Sequence, residues 1–268
     1  MDYAWSMFSI ARPRVMVEQR KPLSSNPWRR IGEGLLDHIF PRWCLSCGEA
    51  VQAEDEFAHV CRACARDLHR VHPPTCKTCG HPFYGMLAGP RSCAHCAGLD
   101  PCFAEGRTLF LMRGPGRELM HQLKYKKGFY VLRDLRRLVR QNPAYLEALR
   151  GAVLVPVPLH PKKLREREYN QSELIARALA HETGPTTVVA PLLQRVRWTD
   201  SQTRLSREAR RRNMDNAFAI ATGILLQPKR KHVVVDDVFT TGSTVNACCQ
   251  VLHDAGIRQL AVATIGHG

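Results

Sequence analysis

VVVDDVFTTGST, residues 233–244, is the stretch that decides the fold of this chain. Its valine run predicts a short buried strand, and Asp236 and Asp237 follow where that strand emerges. A hydroxyl-rich loop comes next and opens a helix predicted over residues 245–255, so the positive end of the helix points into the loop. The loop suits a phosphate, and the paired carboxylates suit vicinal hydroxyls. The pattern indicates a ribose 5-phosphate site; an ordinary turn with Ser243 or Thr244 as N-cap is the simpler alternative.

This segment resembles the phosphoribosyl-pyrophosphate motif of type I phosphoribosyltransferases, in which a hydrophobic run is followed by two acids and a Thr/Gly/Ser loop. The resemblance implies that Asp236 and Asp237 hold the ribose hydroxyls and act at the catalytic centre. It also implies that the loop holds the 5-phosphate through Thr240, Thr241, Gly242, Ser243 and Thr244.

Composition narrows the class of protein. The chain has 268 residues, 44% of them hydrophobic, which is enough for one large domain or two smaller ones. It contains no apolar run long enough for a membrane span and no clean secretory signal, so we expect a cytoplasmic protein. A net charge of +15 favours polyanionic partners. Basic residues concentrate at 162–167 and, more strongly, at 195–212, where a solvated basic face is the alternative interpretation.

The cysteines indicate zinc. Eight of the 11 form CxxC pairs, and the whole unit recurs after 32 residues. Two such pairs supply the four thiolates of a closed structural zinc site. We predict two tandem zinc ribbons built from sequential pairs, with crossed pairing as an alternative; redox chemistry is a weaker one. The histidines at 69, 72, 81 and 95 are expected at the surface or in support. The predicted ligands are Cys44, Cys47, Cys61, Cys64, Cys76, Cys79, Cys93 and Cys96.

Alternating strand and helix patterns after the cysteine block predict an α/β domain with a parallel sheet. The predicted organisation is a disordered terminus at 1–27, an amphipathic helix and double zinc ribbon at 28–102, and the α/β domain at 103–268. Strands are expected at 107–112, 153–158, 187–193, 232–238 and 260–265, and helices at 28–40, 117–126, 130–141, 171–180 and 245–255.

Four further segments resemble the ComF/GntX family. They are LKYKKG at 123–128, VPVPLH at 155–160, RxREYNQS ending at Ser172, and LLQRVRWTDSQTRLSREARRRNMDNAF at 192–218. This resemblance implies a type I phosphoribosyltransferase fold behind a small N-terminal zinc-ribbon domain. One departure is Glu168, which stands where the family usually has glycine and puts a close backbone approach to ligand in doubt.

The family resemblance also implies how phosphoribosyl pyrophosphate and Mg²⁺ would be held. The pyrophosphate would meet a loop at 159–163 through His160 and Lys162. A segment at about 199–213 would close over the ligand, and its Arg204, Arg207 and Arg211 would support the departing pyrophosphate in catalysis.

Two functions from different classes follow from these resemblances. The first is assistance to single-stranded DNA uptake in natural transformation, with other uptake proteins such as a helicase as partners and peripheral attachment at the inner membrane as an option. Basic charge and aromatic residues expected to be exposed, Trp198, Tyr125 and Tyr169, suit single-stranded DNA. The alternative is an active, GntX-like phosphoribosyltransferase of nucleotide or carbon metabolism. A phosphoribosyl-pyrophosphate sensor without turnover is compatible with either.

Overall fold

The computed structural model describes residues 42–83, 93–198 and 216–268, which all belong to one compact unit of the chain. Three predicted features lie outside these residues: the disordered terminus at 1–27, the helix at 28–40, and the closing segment at 199–213 with Arg204, Arg207 and Arg211. Among the described helices, none has the length and apolar character needed to cross a membrane.

A short ribbon region precedes an α/β layer structure. The helices and strands of the described residues, in chain order, are β1 (Arg42–Trp43), β2 (Ala50–Val51), α1 (Arg62–Arg66), β3 (Gly106–Arg107), β4 (Phe110–Leu111), α2 (Gly114–Tyr125), a 3₁₀ turn (Phe129–Val131), α3 (Leu132–Arg140), α4 (Pro143–Leu149), β5 (Val153–Pro156), α5 (Pro161–Arg167), α6 (Gln171–Thr183), β6 (Val188–Val189), β7 (Leu193–Arg195), β8 (Phe218–Ile220), β9 (His232–Phe239), α7 (Ser243–Asp254) and β10 (Leu260–His267).

The parallel sheet confirms the predicted fold class. Its order is β3-β10-β9-β5-β6, with β4 pairing beside the end of β10, and every pairing is parallel. The central strand β9 alternates its valines between two buried layers. Val233 and Val235 pack under α6, whereas Val234 lies in the core that includes α7. Helices therefore cover both faces, which explains the continuous apolar run of this strand.

The decisive stretch differs from its prediction in two details. Strand β9 runs through the acids to Phe239, because Asp236 still pairs with Thr264 of β10. Helix α7 begins at Ser243, and its N-cap is Gly242 instead of a hydroxyl side chain. The acids therefore project from the last part of a paired strand, which fixes their backbone more firmly than a loop would.

Other elements also differ from their predicted bounds. The expected strand at 107–112 is divided into β3 and β4, and the expected strand at 187–193 into β6 and β7. Strand β7 pairs antiparallel with β8 outside the main sheet. Three helices of the described residues were not predicted, α1, α4 and α5. Both α4 and α5 begin with a proline at N1, where its missing N–H costs nothing.

Candidate functional site

The two acids of β9 lie at the carboxyl end of the sheet among polar partners. Asp237 is buried and its Oδ2 forms an ion pair with Lys124 Nζ at 2.6 Å. The half-buried Asp236 accepts a hydrogen bond from Ser172 Oγ at 2.9 Å and one from the backbone N–H of Asp237 at 2.9 Å. The predicted acid pair thus forms a compact carboxylate centre with the ammonium group of Lys124 beside it.

The pKa values of Asp236 and Lys124 are both shifted from their ordinary values. Burial, followed by the neighbouring Asp237, raises the pKa of Asp236 to about 7. Burial would lower the pKa of Lys124, but the attraction of Asp237 outweighs it and raises the pKa above the ordinary lysine value. Perturbed groups of this kind concentrate at functional sites, although structural ion pairs also produce them.

Two residues that contact the acids, Lys124 and Ser172, were not predicted as site residues. Lys124 lies near the end of α2 within LKYKKG, and Ser172 follows Asn170, the N-cap of α6. The Asn170 amide donates to Val157 O at 3.0 Å, which ties the start of α6 to the end of β5. Both residues fall within motifs that carried the family resemblance, so the signal was present, but only the fold brings them to Asp236 and Asp237.

The loop after β9 is tightly packed and rich in hydroxyl groups. Gly242 has a φ of 77°, and a Cβ there would lie 2.5 Å from Phe239 Cζ and 2.8 Å from Leu99 Cδ2. Glycine is required both for this backbone conformation and for the close packing. The hydroxyls of Thr241 and Ser243 lie 2.9 Å apart, at the N-terminus of a 12-residue helix. The loop therefore presents polar groups to the positive end of α7.

The expected loop at 159–163 ends early: His160 lies at the end of the loop that follows β5, whereas Lys162 lies in α5. His160 is the N-cap of α5, and its Nδ1 accepts from the backbone N–H of Lys162 at 3.2 Å. Lys162 is therefore in the first turn of the helix, since Pro161 starts it. The Trp198 ring lies near both: its centroid is 5.1 Å from that of His160 and 4.9 Å from Lys162 Nζ.

Aromatic side chains are exposed on α2 and the following turn. Tyr125 is 62% exposed, Tyr130 47% and Phe129 42%. Tyr169 was expected among the exposed aromatics, but it is only partly accessible. Its hydroxyl donates to Leu123 O at 2.5 Å and its ring meets Phe129 edge-on.

The cysteines form the two predicted four-thiolate clusters from sequential pairs, Cys44/47/61/64 and Cys76/79/93/96. Sulfur separations such as 3.6 Å for Cys76–Cys96 and 3.3 Å for Cys79–Cys93 approach the roughly 3.8 Å of a tetrahedral zinc site. All 11 cysteines, each within the described residues, are free of disulfides. Gly48 and Gly80 follow the first pair of each ribbon, and both have a positive φ. Because each cluster is built from sequential pairs, crossed pairing is ruled out.

Comparison with known proteins agrees with these features. A family model for the double zinc ribbon domain matches residues 35–97. The DNA utilization protein YhgH of Salmonella typhi is 34% identical over 76% of this chain and 88% of its own length. Competence protein F of Haemophilus influenzae is 28% identical over the same shares. Competence protein ComFC of Streptococcus pneumoniae is 21% identical over 81% of this chain and 96% of its own length.

The identity and coverage of the Salmonella relative, together with the double zinc ribbon and the parallel sheet behind it, decide the family. This chain belongs to the ComF family.

Proposed function

We propose that this protein binds phosphoribosyl pyrophosphate with Mg²⁺ at the carboxyl end of its sheet and assists the handling of single-stranded DNA during uptake. The observation that carries the first part is the pair Asp236 and Asp237 immediately before the loop of Thr240–Thr244. Carboxylates that accept from two vicinal hydroxyls, beside a helix N-terminus that accepts a phosphate, match the two ends of a ribose 5-phosphate.

The neighbouring groups suit the rest of the ligand. Lys124 supplies one cation beside Asp237, and Lys162 with His160 supplies polar groups at the next strand end. Magnesium prefers carboxylate and phosphate oxygens, so Asp236 and Asp237 are the protein groups that would hold it with the ligand. The bound Mg²⁺ would neutralise charge on the pyrophosphate.

Thermal melting tests this proposal. We expect phosphoribosyl pyrophosphate with Mg²⁺, at 100 times its dissociation constant, to stabilise the zinc-loaded protein by roughly 2.7 kcal/mol. At roughly 2–4 °C per kcal/mol for a chain of this size, the shift is easily measured. An Asp236→Asn/Asp237→Asn variant should lose it.

Asp254→Asn is the matched control, because Asp254 is an exposed acid at the last residue of α7, at the opposite end of that helix from the loop of Thr240–Thr244. It should keep the full shift. Equal shifts in the wild type and the double variant, or no shift in either, would reject binding at this site.

The DNA part of the proposal rests on the exposed surface formed by Tyr125, Phe129 and Tyr130, on the net charge of +15, and on the relatives named for competence and DNA utilization. Arg167 lies over the Tyr125 ring at 5.6 Å, so a cation and an aromatic face are offered together. Bases stack on aromatic rings while cations contact the phosphates, which gives binding with little sequence preference.

Fluorescence anisotropy with a labelled oligothymidylate tests this surface. We expect affinity to fall steeply between 50 and 200 mM salt, since counterions are released. Tyr125→Leu removes the ring and should weaken binding by roughly fivefold to a hundredfold, the value of one stacked base. Tyr125→Phe keeps the ring and should bind like wild type. Equal affinities for the two variants would contradict stacking at Tyr125.

Transferase turnover is a separate question from ligand binding. Arg204, Arg207 and Arg211 remain the predicted supports for the departing pyrophosphate. Pyrophosphate release in the presence of a panel of nucleobases would establish an active, GntX-like enzyme, and its absence alongside tight binding would favour a sensor. Alanine at all three arginines should abolish any turnover.

A further inference from the structure

Three histidines from distant parts of the chain meet beside the carboxyl end of the sheet. His81 and His95 belong to the second ribbon, and His267 is the last residue of β10. One ring nitrogen of each lies within 4.8 Å of the others. The rings of His81 and His95 stack with centroids 4.0 Å apart, and His267 meets them edge-on at 4.9 and 5.1 Å.

His267 is the least expected member of this group. It is 2% exposed, and neither of its ring nitrogens makes a hydrogen bond of normal geometry with the described residues. A buried imidazole normally donates from one nitrogen and accepts at the other, and leaving both unsatisfied is unfavourable. On another side its ring stacks on Phe239 at 5.3 Å. An apolar side chain would serve packing there equally well, so packing does not explain the choice of histidine.

The backbone holds all three residues firmly. The carbonyl of His81 accepts from the N–H of Cys76 at 2.8 Å, and His95 lies between two zinc ligands of the same cluster. His267 is paired with Phe239 in the sheet. Nitrogen ligands at about 2.0–2.1 Å around a tetrahedral zinc are separated by about 3.4 Å. Side-chain rotations that shorten separations of up to 4.8 Å to this value would bring the three nitrogens to one ion.

We propose that His81, His95 and His267 form a third metal site, distinct from the two four-cysteine sites and selective for zinc or a chemically similar divalent cation. Imidazole nitrogens favour such metals over Mg²⁺. Three protein ligands leave one tetrahedral position for water or an anionic oxygen, unlike the closed cysteine sites. His95 is only half-buried, which provides a path of entry. The bound ion would link the second ribbon to the strand beside the loop of Thr240–Thr244.

Metal stoichiometry tests the site without reference to phosphoribosyl pyrophosphate. The full-length protein is equilibrated with Zn²⁺ under reducing conditions and freed of excess ion. Zinc is then counted by plasma mass spectrometry against amino-acid analysis. We expect three zinc ions per chain in the wild type and two in His95→Gln and in His267→Gln. His69→Gln alters an exposed histidine outside the cluster and should keep three.

X-ray absorption at the zinc edge identifies the ligands directly. The wild type should show Zn–N contacts near 2.0–2.1 Å beside Zn–S contacts near 2.3 Å, and His95→Gln should lose the nitrogen contribution. Because His95 is partly exposed, this variant supports the test even where His267→Gln fails to fold. Two zinc ions in the wild type, a sulfur-only spectrum, or three ions retained in His95→Gln would overturn the proposal.

Discussion

The position of Asp236 lowers the stability of the folded protein. Its carboxylate is half-buried next to a second carboxylate, and the nearby ammonium of Lys124 is paired with that second acid. Burial and Asp237 together raise the pKa of Asp236 to about 7. Residues that lower stability in this way are typical of sites where a ligand or cation supplies the missing compensation.

The stability effect of this residue has a definite sign. The folded-state pKa of Asp236 is raised above the ordinary value of 3.8, so the folded protein keeps a proton that the unfolded chain releases. Stability is therefore lost as pH rises through that interval, and the full penalty is present above about pH 7. Asp236→Asn removes this penalty, since an amide does not titrate and still accepts from Ser172. The free energy of unfolding of the variant, relative to that of wild type, should therefore rise by on the order of 2 kcal/mol from about pH 5.5 to pH 8.

Urea unfolding of the zinc-loaded protein without phosphoribosyl pyrophosphate measures this difference at the two pH values. Glu147→Gln changes an exposed acid of α4 and serves as the control, for which we expect no comparable pH-dependent gain. An Asp236→Asn variant that is less stable than wild type at pH 8 would show that the carboxylate is a structural acid.

At the scale of elements, the sequence predicted what is local and repetitive. The valine run, the acids and the hydroxyl-rich loop specified β9 and α7, because each signal lies within one continuous segment. The CxxC spacing specified both ribbons for the same reason. The sequence did not reveal that Lys124 would meet Asp237, or that His267 would meet His81. Those contacts depend on which strands are neighbours in the sheet, and no local pattern records that order.

The turn between α5 and α6 gives a physical reason for the glycine that the family usually has at position 168. Glu168 ends α5 with a φ of 70°, a left-handed conformation that glycine adopts without strain. Its carboxylate pairs with Lys127 Nζ at 2.6 Å, but both side chains are exposed, so the ion pair contributes little. The departure from the family pattern thus has a local cost in backbone conformation.

Substitutions at this position separate the two effects. Glu168→Gly and Glu168→Ala both remove the ion pair, but only glycine relieves the left-handed strain. We expect the glycine variant to be more stable than the alanine variant by about 1 kcal/mol, measured by urea unfolding. Equal stabilities would mean that the backbone relaxes at this turn and that the family glycine has another role.

At the scale of the whole molecule, the ribbons and the sheet share their hydrophobic cores. Phe57 and Val60 of the first ribbon lie in the same cluster as Leu119 of α2, and Cys76 of the second lies in the same cluster as Val234. Buried Asp134 of α3 joins the parts further, since it accepts from the backbone N–H groups of residues 58 and 59 at 2.7 and 2.9 Å. The domain boundary after residue 102 stays a prediction. The hydrophobic packing itself is continuous between the ribbons and the sheet.

Continuous packing predicts that the stability of the sheet depends on zinc. Removal of the metal leaves four thiolates in each ribbon without their ion, and ribbon side chains then leave the shared core. We expect a thiol-compatible chelator to lower the melting temperature of the entire chain in one transition. Hydrogen exchange should speed up in β9 and β10 as well as in the ribbons, because the sheet loses packing on the ribbon side.

Asp134→Ala provides an independent check, since it leaves the zinc ligands intact but removes the acceptor of two backbone N–H groups. Each unsatisfied group costs about 1–3 kcal/mol, so the variant should lower the free energy of unfolding by roughly 2–6 kcal/mol while it retains zinc. Two separate melting transitions after chelation, with amide protection in β9 unchanged, would show instead that the ribbons fold independently. In that case zinc would stabilise only the region that holds it, and the ligand binding proposed at Asp236 would persist in the metal-free protein.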